Sequence, residues 1–86
     1  MTFKNIIGQE LNVGDYVARP TEYGASKVTE ICKIVKINPK SIKVHKVSKE
    51  EPDGRTINGI NLGVRDVRNY AECIVINEQA KKWFNT

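Results

Sequence analysis

Short apolar runs, separated by polar turns that contain glycine or proline, make up most of the chain. The first β-favouring run, residues 16–18, follows a Gly-Asp turn, and the longest run covers residues 28–37. Ile34 and Ile37 in the longest run are three positions apart, which fits a strand that contains a bulge. This pattern predicts a small all-β protein.

Residues 41–47 alternate between apolar and polar positions more regularly than any other segment. A strand with this alternation places Ile42 and Val44 on its inner face and Lys43 and His45 on its outer face. An Asn-Pro turn comes directly before this segment, so we predict a hairpin with the preceding strand.

A helix is the competing interpretation of this region, because Lys33, Lys36, Lys40 and Lys43 recur every three or four residues. Two observations argue against a helix. The segment is rich in β-branched residues, and a proline interrupts it at position 39.

The second half of the chain has weaker signals. Residues 56–67 predict a bent strand, residues 68–72 a helical or 3₁₀ turn, and residues 73–76 a short apolar strand. Residues 78–84 fit a last helical turn that Asn77 caps. The predicted core consists of apolar strand positions and two buried thiols: Ile34, Ile37, Ile42, Val44, Ile74, Ile76, Cys32 and Cys73.

The length of 86 residues predicts one small domain. A two-domain enzyme and a doubly wound nucleotide-binding fold are both excluded, because each βαβ unit of the latter needs about 30 residues. No apolar run approaches the roughly 20 residues that a membrane helix needs, and the N-terminus does not resemble a signal peptide. We therefore expect a cytoplasmic protein without membrane contacts.

Positive charge is concentrated in one segment. Fourteen Lys and Arg against ten Asp and Glu give a net charge of +4. Residues 31–49 hold six lysines and no acidic residue, so they carry +6 and the rest of the chain 4 − 6 = −2. Such an asymmetry indicates a polyanionic partner, RNA or DNA, bound through its phosphates. The alternative is that the lysines only keep strand edges soluble.

The candidate nucleic-acid-binding residues are basic side chains on or beside the predicted strands: Arg19, Lys27, Lys33, Lys36, Lys40, Lys43, His45, Lys46, Arg65 and Arg68. Lysine supplies a point charge for phosphate, and arginine a fork that also stacks on bases. Tyr23 and Tyr70 could offer further stacking faces, although Tyr70 is better explained by packing under the helical turn. Trp83 and Phe84 fit either a lid over one end of the fold or a contact with a partner.

No constellation of residues predicts catalysis, a metal site or a cofactor. Cys32 and Cys73 do not form a Cys-x-x-Cys pair, and both lie in apolar runs, as buried free thiols do. His45 is the single histidine and lies among lysines. We therefore predict no catalytic residue, no metal ligand and no cofactor.

Three stretches carry a resemblance to a known fold family. The opening, residues 11–17, reads Leu-x-Val-Gly-Asp-x-Val. Residues 32–37, Cys-Lys-Ile-Val-Lys-Ile, are similar to the Gly-Lys-Ile-Val-x-Ile of KOW modules, with cysteine in place of the glycine. Residues 70–76 resemble the ending of small phage proteins. Over residues 11–77 the chain resembles the SH3-like barrels of tailed-bacteriophage proteins and of KOW modules of transcription and ribosome factors.

The resemblance implies a five-stranded SH3-like, KOW-like barrel with one or two short helical turns, formed within a single domain over residues 1–86. It also implies a non-enzymatic module that binds nucleic acid, with RNA favoured over DNA. Such a protein would be a phage accessory protein in the host cytoplasm. The alternative is a phage protein-interaction module that inhibits a host enzyme. A third reading is an SH3-like toxin-type ribonuclease that uses Arg19, Glu22 or Arg65.

Overall fold

Strands dominate the computed structural model, which describes residues 3–23, 26–52, 54, 56–58, 60–61 and 63–85. The elements follow one another as β1 (Phe3–Lys4), β2 (Glu10–Leu11), β3 (Tyr16–Tyr23), β4 (Ser26–Ile37), β5 (Ile42–Lys46), β6 (Thr56–Ile57), β7 (Ile60–Asn61), β8 (Val64–Val67), a 3₁₀ helix (Tyr70–Glu72), β9 (Ile74–Val75) and α1 (Asn77–Phe84). The predicted β class is confirmed, and the competing lysine-bearing helix is absent because residues 26–37 form a strand.

The main sheet is antiparallel and has the order β8-β5-β4-β3-β9. Two small hairpins, β1–β2 and β6–β7, lie outside it. Within the described part of the chain, the two outer strands β8 and β9 do not pair with each other, so the backbone pairing forms an open sheet.

A β-bulge in β4 confirms the irregular spacing seen in the sequence. Ile34 pairs with Val44, but the next pair joins Lys36 to Lys43, so Val35 is the extra residue. A bulge changes which residues share a face, and it also bends the strand.

The core lies on one face of the main sheet, against the β1–β2 hairpin. Its buried members are Phe3, Leu11, Val17, Cys32, Ile34, Ile42, Val44, Val67 and Cys73. Five of the eight predicted core residues are therefore confirmed. Ile37, Ile74 and Ile76 are only half-buried, because they lie at the end of β4, in an edge strand and at the start of α1.

The N-terminal hairpin was not predicted from the sequence, although it completes the core. Phe3 stacks on Tyr70 with ring centroids 4.6 Å apart, which fixes the 3₁₀ helix beneath it. Tyr70 is half-buried and packs against the core cluster, as the sequence predicted.

Side-chain amides from the β1–β2 turn cover the outer edge of β9. The Gln9 amide donates to the Val75 carbonyl at 3.2 Å and accepts from the Val75 N–H at 2.9 Å. The buried Asn5 amide donates to the Cys73 carbonyl at 2.9 Å, and its own oxygen accepts from the Gln9 N–H at 3.0 Å. Strand β9 is therefore hydrogen-bonded on both sides, to β3 on one side and to the Gln9 side chain on the other.

The second face of the sheet is also partly covered, which the sequence did not predict. Tyr16 lies on this face; its hydroxyl donates to the Pro52 carbonyl at 2.7 Å, and its ring meets Phe84 edge-on. His45 lies under Gly54 and has only 1% of its surface exposed. The predicted exposure of His45 is wrong, because the chain after β5 folds back over this strand position.

Both predicted helical turns are present. The 3₁₀ helix falls within residues 68–72, and α1 begins one residue earlier than predicted. Asn77 does not cap α1: Ile76 is the N-cap residue, and the Asn77 side chain accepts from the Tyr16 N–H at 2.7 Å instead. Among the described residues, no helix has the length and apolar character that crossing a membrane requires.

Candidate nucleic-acid interface

The strand register assigns each predicted basic residue to one face of the sheet. Directly opposed residues in antiparallel strands point to the same face. Lys36 lies opposite Lys43, and Lys33 lies opposite His45, whereas the intervening pair Ile34–Val44 belongs to the core. Lys33, Lys36 and Lys43 therefore share the face that points away from the core.

Lys40 lies in the turn between β4 and β5, close in sequence to Lys36 and Lys43. We call Lys33, Lys36, Lys40 and Lys43 the lysine face. Lys36 and Lys40 are exposed, and Lys33 and Lys43 are half-buried. Asp66 of β8 is an acidic residue on the same face, since it lies opposite Lys43. The lysine face is thus a compact basic surface whose most open charges are Lys36 and Lys40.

Aromatic side chains continue this surface toward α1. The Lys33 Nζ lies 5.8 Å from the centroid of the Tyr16 ring, within the range of a cation–π interaction. Tyr16 contacts Phe84 at 5.0 Å between ring centroids, and Phe84 contacts Trp83 at 5.1 Å. Basic and aromatic side chains are therefore neighbours at this end of the sheet, the combination that single-stranded nucleic acid binds.

Four other predicted residues lie apart from the lysine face. Lys46 lies opposite Cys32, and Arg65 opposite Val44, so both exposed side chains belong to the core-side face at the rim of the sheet. Lys27, near the start of β4, and Arg68, after the end of β8, are exposed too. Plain alternation along β5 already places Lys46 on the inner face with Ile42 and Val44, a signal that the sequence analysis overlooked. The face of Arg65 follows from the pairing of β8 with β5, which the sequence did not predict.

Arg19 makes an ion pair. Its Nη1 lies 3.4 Å from the Oε1 of Glu30, whose side chain is 3% exposed, whereas the Arg19 side chain is 18% exposed. The Glu30 oxygen also accepts from the Cys32 thiol at 3.6 Å. Glu30 lies two positions before Cys32 and four before Ile34, so strand alternation places all three side chains on the inner face. The sequence analysis missed this signal. The guanidinium of Arg19 is therefore engaged in neutralising a buried carboxylate.

The two cysteines behave as buried free thiols, as predicted. Burial, followed by the Glu30 carboxylate, raises the pKa of the Cys32 thiol from 9.0 to about 12. Burial likewise raises the pKa of the Cys73 thiol. A protonated thiol is a poor nucleophile, so neither cysteine is suited to nucleophilic chemistry near neutral pH.

The raised pKa of Cys32 predicts a loss of stability at high pH. Above pH 9 the unfolded chain releases this proton while the folded chain keeps it, so the stabilisation is complete below pH 9 and disappears as the pH approaches 12. Between pH 8 and about 10.5, the wild type should lose about 2 kcal/mol more than Cys32→Val, at about 1.36 kcal/mol per pH unit. Urea unfolding at both pH values measures the difference, and equal losses in the two proteins would contradict it.

The structure gives no support to the ribonuclease alternative at the three positions proposed for it. Arg19 is ion-paired, Arg65 lies on the core-side rim, and the side chains of Glu22 and Tyr23 lie outside the described residues. In the described ranges, no group of three or more His, Cys, Asp or Glu side chains could hold a metal ion. The sequence of residues 48–55 predicts a charged turn with Asp53 at its tip, and Asp53 lies outside the described residues.

Comparison with known proteins gives one match. Residues 3–76 match the family described as Domain of unknown function (DUF7205). No curated protein and no solved structure matches the chain significantly.

Proposed function

The chain belongs to the DUF7205 family, and we propose that this member is a non-enzymatic nucleic-acid-binding module. The lysine face would contact phosphates of RNA, which we favour over DNA, with little readout of the base sequence. The resemblance to small tailed-phage proteins supports the role of a phage accessory protein that acts in the host cytoplasm.

We also propose that the fold is an SH3-like, KOW-like barrel. Four strands follow one another as neighbours in the sheet, a bulge bends the second of them, and a one-turn 3₁₀ helix leads to the last strand. That last strand, β9, returns to pair with β3, the first strand of the series. This order of pieces supports the resemblance found in the sequence.

The observation that carries the functional proposal is the shared face of three lysines on two adjacent strands, with a fourth, exposed lysine in the turn between them. If all four contact phosphates, log K should fall against log salt with a slope of about −3 for single strands and about −4 for duplex DNA. Phosphate contacts carry no base information, so oligonucleotides of different sequence should bind alike.

The double substitution Lys36→Glu with Lys40→Glu tests this proposal. Both side chains are exposed, so folding should be preserved, and Lys43 is left in place opposite Asp66. Losing two counterion releases and adding repulsion should weaken RNA binding by on the order of 20- to 50-fold at about 0.1 M salt. Fluorescence anisotropy with a labelled oligonucleotide measures the change.

The matched control is Lys46→Glu with Arg65→Glu, two exposed residues on the core-side face. It changes the net charge by the same amount, from +4 to 0, and should weaken binding much less. An equal loss of affinity in the control would show that the binding site lies elsewhere or that binding depends only on the net charge of the protein. If the wild type binds neither RNA nor DNA at low salt, the lysines serve solubility and the proposal fails.

Protein docking remains the second candidate function, because two large apolar side chains are displayed on a fixed turn. Ile6 is 78% exposed and Ile7 63% exposed, between β1 and β2. The Ile6 N–H donates to the Ala71 carbonyl at 2.9 Å, and the Ile7 N–H to the Asn5 side-chain oxygen at 3.2 Å. A phage inhibitor of a host enzyme could use such an apolar tip.

A pull-down from host lysate, with and without nuclease, separates the two functions. A partner that depends on RNA should disappear after nuclease treatment and after Lys36→Glu with Lys40→Glu. A directly docked protein should survive nuclease but be lost when Ile6 and Ile7 are both changed to serine. That second pattern would favour protein docking over nucleic-acid binding as the function.

A further inference from the structure

A cleft of about 500 Å³ opens where α1 meets β3, next to the lysine face. It is lined by Gly14, Tyr16, Asn77, Lys81, Phe84 and Asn85. Its size lies in the range of ligand pockets, about 300–1,000 Å³.

The aromatic wall of this cleft is held in place before any ligand binds. Tyr16 and Phe84 meet at an interplanar angle of 62°. The Tyr16 hydroxyl donates to the Pro52 carbonyl, and its N–H donates to the Asn77 side chain, both at 2.7 Å. A ring fixed by bonds at both ends loses little further freedom when a ligand stacks on it.

One lysine lines the cleft, and two others lie close to it. Lys81 lines it directly, Lys82 is its neighbour on α1, and Lys33 reaches over the Tyr16 ring from the lysine face. Two acids are nearby. The Asp15 carboxylate accepts from the Asn77 amide and the Asn12 N–H, both at 3.0 Å, and Glu78 lies in the first turn of α1. The cleft therefore combines two aromatic side chains with a lysine at its rim.

We infer that this cleft takes an unpaired nucleobase of a single-stranded RNA whose phosphates continue along the lysine face. This inference rests on the proposed function. A base offers a flat π-face to the Phe84 ring, which Tyr16 supports edge-on, and its phosphate offers a negative charge to Lys81 and Lys33. The exposed Asn85 amide lies at the same rim. Bases within a duplex are stacked and paired, so the protein should prefer single strands.

The substitution Phe84→Leu tests the stacking role. It should weaken binding to a labelled single-stranded oligouridylate by roughly 5- to 100-fold, the loss expected when one stacking platform is removed. The slope against log salt should stay unchanged, because no phosphate contact is lost. Binding to an RNA duplex with the same number of phosphates should change by less than about twofold.

Trp83 provides a second readout because it is the single tryptophan of the chain and contacts Phe84. Its fluorescence should change when single-stranded RNA saturates the wild type, and this change should be lost in Phe84→Leu. Tyr70→Leu, which removes an aromatic ring stacked on Phe3, serves as the matched control for a general packing defect. If Phe84→Leu does not fold, Lys81→Gln tests the same rim.

The outcomes distinguish this inference from the function on which it rests. Equal wild-type affinity for single strand and duplex, with no effect of Phe84→Leu, overturns the inference and leaves phosphate binding by the lysine face intact. Failure of the wild type to bind either RNA overturns both. A selective loss of single-strand binding in Phe84→Leu, with Tyr70→Leu unaffected, supports the aromatic cleft.

Discussion

Changing Arg19 to methionine should lower the free energy of unfolding by about 3 kcal/mol, the lower end of the cost of breaking a buried ion pair. Methionine retains much of the aliphatic stem but removes the cation from Glu30, which is 3% exposed. The lower end applies because the Cys32 thiol still donates to this carboxylate. Urea unfolding monitored by circular dichroism measures the loss, which is large for a domain whose total stability is on the order of 5–15 kcal/mol.

Two further variants test the cause. Glu30→Gln should cost less than Arg19→Met, because the Arg19 side chain is 18% exposed and can turn its charge toward water. Arg19→Met combined with Glu30→Leu should recover much of the loss, since an apolar pair needs no desolvated charge. A loss below about 1 kcal/mol for Arg19→Met would match an exposed pair and contradict the buried one.

Changing Gly54 to alanine is expected to cost roughly 2–5 kcal/mol, the sum of a left-handed backbone penalty and an overpacking penalty. Gly54 has a φ of +89°, and a Cβ at this position would overlap the His45 ring. The ring has little room to move, because His45 is buried under this segment. The thermal unfolding temperature, measured for both proteins at the same pH, reports the loss.

Gly8→Ala separates the two penalties. Gly8 has a similar φ of +83°, but a Cβ there meets no atom within 4 Å. It should therefore cost only the backbone term, about 1–2 kcal/mol. If Gly54→Ala is no more destabilising than Gly8→Ala, the close packing of Gly54 on His45 is wrong.

Local sequence signals predicted several strands and turns of this fold, but residues 56–67, predicted as one bent strand, form the β6–β7 hairpin and β8. The proline after Ile37, the alternation around Ile42 and the short apolar run near Ile74 each depend on neighbouring residues, and each corresponds to a strand or its end. Long-range packing was harder to predict. Phe3 enters the core only because its hairpin docks on Tyr70, which lies 67 positions further along the chain.

The candidate interface was predicted in part for the same reason. A plain alternation would put Lys33 and Lys36, three residues apart, on opposite faces, and the bulge at Val35 brings them together. The sequence suggested the bulge but not that it brings these two lysines to one face. The core-side position of Lys46 follows from alternation in β5, and that of Arg65 from the pairing of β8 with β5. His45 was misjudged because alternation tells which face a residue occupies and does not tell what covers that face.

The amide of Gln9 has a consequence for self-association. By bonding both the N–H and the carbonyl of Val75, it occupies the positions that a neighbouring strand would use. Within the described part of the chain, β8 has no strand on its outer side, and β3 pairs with β9 only at Val17 and Ala18. A second copy that added a strand to the main sheet would therefore have to join at β8 or at the outer end of β3, because the Val75 groups of β9 already have partners.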